Sequence, residues 1–326
     1  MPGTDNPKRF LGLLILFASL LIIIYLLREK SPFGGRNSSF AVNNEAEINR
    51  IEFTYGDDKL TLEKRGEDWF VNGKSETRKS SIQFILKIIK DIRIKSPVTP
   101  DLFSNEVVTK GIKPVRVRIF RGRKVLKTYL VYKTTSNRYG NIMKIRERSK
   151  PFIVYIPGSQ AEIGSAFNMH ELFWQPFVVF DQLPSRILSV RFENKNDPSS
   201  SFGIRKENGK FILTDLKDRL TGWDTLRVQR YISYFTHIPF ESWAFGLSQE
   251  EKEKISSGDP LYRITLTTTD NKTIDLKLWE RKINQDGSLK TDTDRLWAKT
   301  DDGNEIFLMR YLDVDPVIKK RSYFFP

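Results

Sequence analysis

The chain has 326 residues, 54 Lys plus Arg against 40 Asp plus Glu for a net charge of +14, 39% hydrophobic residues and no cysteine. The missing thiol excludes a disulfide framework, a thiolate zinc site, an iron–sulfur cluster and a cysteine nucleophile. Two histidines, His170 and His237, exclude a histidine-rich metal centre, and the length suits two units of ordinary domain size.

Residues 1–9 form a short N-terminal tail. Phe10 to Leu27 is an uncharged run of 18 residues, which at about 1.5 Å per residue would cover roughly the 30 Å hydrocarbon layer. It reads as an uncleaved signal anchor, because Arg28, Glu29 and Lys30 follow it where a cleavage site would stand. The resulting expectation is a single-pass protein of a bacterial inner membrane with its C-terminal part in the periplasm. Residues 28–46, rich in Gly, Ser, Asn and Pro, read as a flexible linker.

From Glu47 onward the chain is self-similar. Ile48 to Phe53 alternates apolar and polar as Ile187 to Phe192 does, the pattern of a half-buried strand. A hairpin follows in each half, Leu60-x-Leu62-x-Lys64 returning through Trp69 and Val71, and Phe202-x-Ile204-x-Lys206 returning through Phe211 and Leu213. The helical run Ile82, Ile85, Leu86, Ile89 and Ile92 then recurs at a constant offset as Val228, Tyr231, Ile232, Phe235 and Ile238. Asp224 is the expected N-cap of the second helix, and Thr77 or Ser80 of the first. Strand pairs 115–120 with 125–132 and 262–267 with 273–279 come next, followed by 141–145 with 152–156 and 295–299 with 305–308. The fold class expected is α+β, a transmembrane helix followed by two tandem repeats, each a mostly antiparallel sheet with one covering helix. The first repeat with its connecting segment spans 47–182 and the second 183–326. Phe167, Phe173, Trp174, Phe177 and Phe180 in the connection read as core or inter-repeat contact.

An N-terminal apolar helix, the I-x-R-I-x-F strand at Ile48, the Leu60, Leu62, Lys64, Trp69, Val71 hairpin and Phe245-Gly246-Leu247-Ser248 ahead of Tyr262 to Leu266 together resemble the domain of unknown function 4340 (DUF4340) family. The resemblance implies an envelope protein encoded near gliding-motility-type ABC transporter subunits, and it carries over no catalytic residue.

Charge is unevenly placed. Residues 47–156 hold 25 Lys plus Arg and 12 Asp plus Glu, whereas 183–326 hold 24 and 22. Much of the excess falls on one hairpin and the loop beyond the next strand: Arg116, Arg118, Arg121, Arg123, Lys124, Lys127, Lys144 and Arg146. These are the expected contacts for lipid head groups or an acidic partner; nucleic acid is not expected, since no recognition helix or stacking platform accompanies the charge. His170 and His237 read as structural, and Asp313 and Asp315 as a capped turn in place of a cation site. No phosphate-binding loop, nucleophile elbow or metalloprotease motif occurs, so neither a catalytic site nor a cofactor is expected. The function expected is that of a non-catalytic, membrane-anchored accessory or scaffold protein of an envelope complex, with transporter subunits as partners. The alternative is a binder of a glycan or lipid in a cleft between repeats.

Overall fold

The structure, a computed structural model, describes residues 14–23, 39–134, 141–158, 163–301 and 303–326. It corrects the fold class and the localisation built on residues 10–27. Within that run the described residues, 14–23, are helix α1. Residues 10–13 and 24–27 lie outside the described set. No helix among the described residues is long and apolar enough to cross a membrane. In place of a spanning helix leading an α+β pair, the described residues are mostly antiparallel sheet, arranged in three sheets.

The chain divides between Pro176 and Phe177 into two compact units. The first holds strands β1 (Arg50–Tyr55), β2 (Asp58–Arg65), β3 (Asp68–Val71) and β4 (Ser75–Glu76), helix α2 (Lys79–Asp91) and strand β5 (Arg93–Pro97). The short helix α3 (Pro100–Phe103) leads to β6 (Val115–Arg121), β7 (Lys124–Tyr132), β8 (Asn141–Lys144) and β9 (Phe152–Tyr155), and α4 (Ile163–Ala166) and α5 (Glu171–Trp174) close the unit. The strands make one sheet in the order β4-β3-β2-β1-β6-β7-β8-β9-β5. Period-two alternation sends Ile51, Phe53, Val117 and Ile119 to one face. Helix α2 covers that face with Ile82, Ile85, Ile88 and Ile89, each contributing about 1.5–3 kcal/mol on burial.

The second unit runs β10 (Val178–Phe180), β11 (Ile187–Asn194), β12 (Phe202–Glu207), β13 (Lys210–Thr214), α6 (Thr225–Ser233), β14 (Ile238–Pro239) and β15 (Ser242–Trp243). It continues through α7 (Gln249–Ser256), β16 (Tyr262–Thr268), β17 (Thr273–Gln285), β18 (Ser288–Thr300), β19 (Phe307–Arg310) and α8 (Tyr311–Val314). Its main sheet is ordered β13-β12-β11-β16-β17-β18-β19-β15, and β10 pairs β14 separately. The two main sheets share a path: β2 and β3 follow β1 on one side, with β4 beyond them, as β12 and β13 follow β11; a helix crosses, and β6 or β16 then pairs with the first strand's other edge.

Helix caps follow local chemistry. The Asp224 carboxylate accepts from the Leu226 and Arg227 N–H groups, the expected N-cap. For α2 the expectation fails: the cap residue is Arg78, without a side-chain cap bond, and the Thr77 hydroxyl instead donates to Trp69 O at 3.0 Å. Helix α7 has a reciprocal capping box between Ser248 and Glu251.

The described folded part begins before Glu47, inside the run expected as linker. Phe40 is 2% exposed, edge-on to Tyr129 and Phe152, and Val42 N–H donates to Ile89 O at the end of α2. The polar composition around it hides two buried apolar residues, Phe40 and Val42. In the second unit Phe180 holds a matching place, with Gln182 N–H donating to Phe235 O. Of the aromatic connection, Phe167, Phe173 and Trp174 pack in the first core and Phe177 and Phe180 in the second. Trp174 stacks on Phe53 at 5.6 Å. At the C-terminus Phe324 enters the second core against Phe202 and Tyr231.

Replacing Phe40 by Ala is expected to lower unfolding free energy by about 3–5 kcal/mol, read as a lower urea midpoint. A linker residue would show no change.

Candidate functional site

The alternation that buries Val115, Val117 and Ile119 turns Arg116 and Arg118 to the opposite face of the first sheet. That face has two parts. Over β7 to β9 it is apolar, with Leu130, Tyr132, Ile142 and Ile153 under a cover of Val98, Leu102, Phe103 and Val107. Over β1, β2 and β6 it is a charged lattice.

The lattice centres on Glu52, which the pairing sets opposite Arg118 on one side and Thr61 on the other. Its side chain is 7% exposed and accepts from Arg118 at 2.6 Å, with Arg50 at 3.4 Å and Lys59 at 3.5 Å. Next to it Phe120 lies beneath Arg50 at 4.1 Å and Arg118 at 5.7 Å, so one ring supports two guanidinium groups. A single carboxylate thus holds three cations, leaving a local excess of positive charge that is partly removed from water.

The eight expected contact residues do not form one patch. Arg118 belongs to the Glu52 lattice. Arg116 pairs with Glu147 at 2.8 Å, Arg121 with Glu47 at 2.6 Å, and Lys127 donates to Ser39 O at 2.8 Å, with its pKa lowered by burial. Lys144 lies over the Phe103 ring at 5.1 Å. Arg123 and Lys124 at the hairpin turn and Arg146 in the loop after β8 are exposed and make no ion pair among the described residues, and the same holds for Arg148 and Lys150. The turn and the Arg116 end of the hairpin lie about 17 Å apart by strand rise, so two cationic groups flank the Glu52 lattice. Arg50, Lys59, Glu52 and Phe120 belong to the site although the sequence reading passed over them. Arg50 and Glu52 could have been found from the period of β1, which puts both on the face of Arg118.

The second unit also holds a buried carboxylate among cations. Asp275 on β17 is 5% exposed and bridges Arg263, Thr265 and Lys277. Burial pushes its carboxyl up, but the hydrogen bonds from Arg263 and Thr265 outweigh that and hold it below the usual carboxylate range.

The remaining sequence candidates are accounted for locally. His170 is the N-cap residue of α5, its N–H on Asn168 Oδ1 at 2.8 Å. His237 is exposed. Asp313 pairs with Arg310 and Asp315 with Lys319. Among the described residues no group of three or more His, Cys, Asp or Glu is placed to hold a metal ion.

Glu52→Gln keeps the shape but strands three cations, and is expected to cost about 1–3 kcal/mol in urea unfolding. Asp275, depressed in the folded state, contributes stability above the unfolded carboxylate pKa of about 4 and loses it as pH falls through the folded value. Asp275→Asn should therefore be less stable than the parent at pH 7, and the gap should narrow at an acid pH below the folded value. Equal gaps at both pH values would refute the linkage.

Compared with protein-family models, curated proteins and solved structures, the chain matches none.

Proposed function

We propose that the protein is a non-catalytic accessory or scaffold protein whose first unit docks an acidic partner through the hairpin β6–β7 and the loop after β8. The observation that supports this reading most is the set Arg123, Lys124, Arg146, Arg148 and Lys150, exposed and without ion pairs among the described residues. Solvated cations cost little to pair with a partner's carboxylates, because they bring no buried partner to be broken. The Glu52 lattice between them is built on the paired strands β1, β2 and β6, which set the spacing of the two cationic groups for a partner to match. The resemblance to the domain of unknown function 4340 family fits this reading and would make transporter subunits the partners.

Such docking depends on charge and is screened over about 8 Å at physiological salt. Replacing Arg123, Lys124, Arg146 and Arg148 by Glu should reduce capture of native partners by the full chain at least about tenfold, in proportion to the charge reversed. Thermal stability should hold, since none of the four side chains is buried. Unchanged capture would overturn the docking surface. Loss of binding to anionic vesicles alone, with every protein partner retained, would assign the face to lipid and overturn the protein-partner reading.

A further inference from the structure

The sequence holds two Asn-Gly pairs, and each is followed by lysine: Asn72-Gly73-Lys74 and Asn208-Gly209-Lys210. Both stand in tight turns between paired strands, the first between β3 and β4, the second between β12 and β13. Their backbones are alike, with φ of 50° and 66° at Asn72 and Gly73 and of 48° and 79° at Asn208 and Gly209. Both asparagines are exposed. In neither turn does the glycine N–H donate to an acceptor among the described residues. Glycine has no Cβ to shield that nitrogen, so each turn sets an open peptide nitrogen beside a thermolabile side-chain amide.

What separates the two turns is the asparagine side chain. Asn72 is clamped at both ends: its Oδ1 accepts from the Thr61 N–H at 3.0 Å, and its Nδ2 donates to Glu171 Oε2 at 3.0 Å. Its own N–H donates to Thr61 O at 2.8 Å, which fixes the backbone from which the side chain springs. The Arg65 guanidinium also lies against Gly73, whereas the space beside Gly209 is open. The Asn208 side chain makes no hydrogen bond among the described residues. It is therefore free to turn its amide carbon toward Gly209 N, while Asn72 must first give up two bonds, one of them to a carboxylate.

We infer that Asn208 is a site of spontaneous deamidation and that Asn72, in the same tripeptide, is protected by the fold. Gly209 N, after losing its proton to hydroxide, forms a bond to Asn208 Cγ. The side-chain nitrogen leaves as ammonia with a proton taken from water, and a succinimide ring remains. A water molecule then adds to one of the two ring carbonyls and opens the ring, giving aspartate from one and isoaspartate from the other. Nothing is oxidised or reduced, and water is the only co-reactant.

The change reaches beyond the turn. Asn208 lies in the wall of a cavity of ≈ 830 Å³ with Lys206, Lys210 and Arg219 against Glu207, so a new carboxylate there offsets part of a local excess of positive charge. Isoaspartate also inserts a carbon into the main chain of a two-residue turn whose ends, Glu207 and Lys210, are cross-strand partners, and the length of such a turn sets the register of its hairpin. The second unit thus carries a one-way change from neutral to negative, which the clamp withholds from Asn72.

The test is incubation of the full chain in mildly alkaline buffer made with heavy-oxygen water, followed over time by peptide mapping and mass spectrometry. The oxygen label separates conversion in the intact chain from conversion during digestion. In the folded chain Asn208 should convert at least about tenfold faster than Asn72, with isoaspartate among its products. In urea that unfolds the chain, the two should convert at similar rates, because the tripeptides are the same and the clamp is gone. Conversion of Asn72 as fast as Asn208 in the folded chain, a gap of the same size in urea, or an Asn208 that stays intact when folded would each overturn the inference.

Discussion

The contact on which the rest depends is that between one amphipathic helix and one face of an antiparallel sheet. In each unit the sheet has an aliphatic face that water would penalise, and a single helix supplies the cover. Ile82, Ile85 and Ile89 in the first unit and Val228, Tyr231 and Ile232 in the second do the same work. Once that face is closed, the opposite face is free to carry charge, and the two units use that freedom differently.

In the first unit the free face gathers cations around one carboxylate; in the second, the buried acid is on β17 and the net charge is nearly balanced. The contrast explains why the chain's excess of Lys and Arg is a property of one unit. It also separates stability from recognition. Cations bound to Glu52, Glu47 and Glu147 are occupied in holding strands and loops together, while those at the turn and beyond β8 remain for a partner.

Strand and helix positions were largely legible because they follow from period. Alternation located β1, β6 and β16, and the helical spacing of Ile82 to Ile92 located α2. What period could not reach was anything dependent on a single residue or on length in space. Phe40 is one anchor within a polar stretch, and only the hollow beside Tyr129 and Phe152 makes it part of the core. The apolar run at residues 10–27 reads as a span by composition, whereas among the described residues no helix is long and apolar enough to cross a membrane. The basic site was legible as a set of residues but not as a surface. Sequence distance put Arg116 and Arg121 together, and an extended strand holds them apart, while Glu52 and Arg118, 66 residues apart in the chain, are in contact.

That last separation has a bearing on synthesis. Strand β1 is made early and its partner β2 directly afterwards, but its other edge meets β6 only after the helix and the following loop have been translated. Until Arg121 has left the ribosome, a nascent chain carries β1 with open backbone donors and acceptors and with Glu52 lacking Arg118. An unpaired edge of this kind invites pairing with another chain, and a polysome brings neighbouring copies close. The charges on β1 itself, Arg50 and Glu52, stand along that edge during the interval and disfavour such pairing before the seam closes.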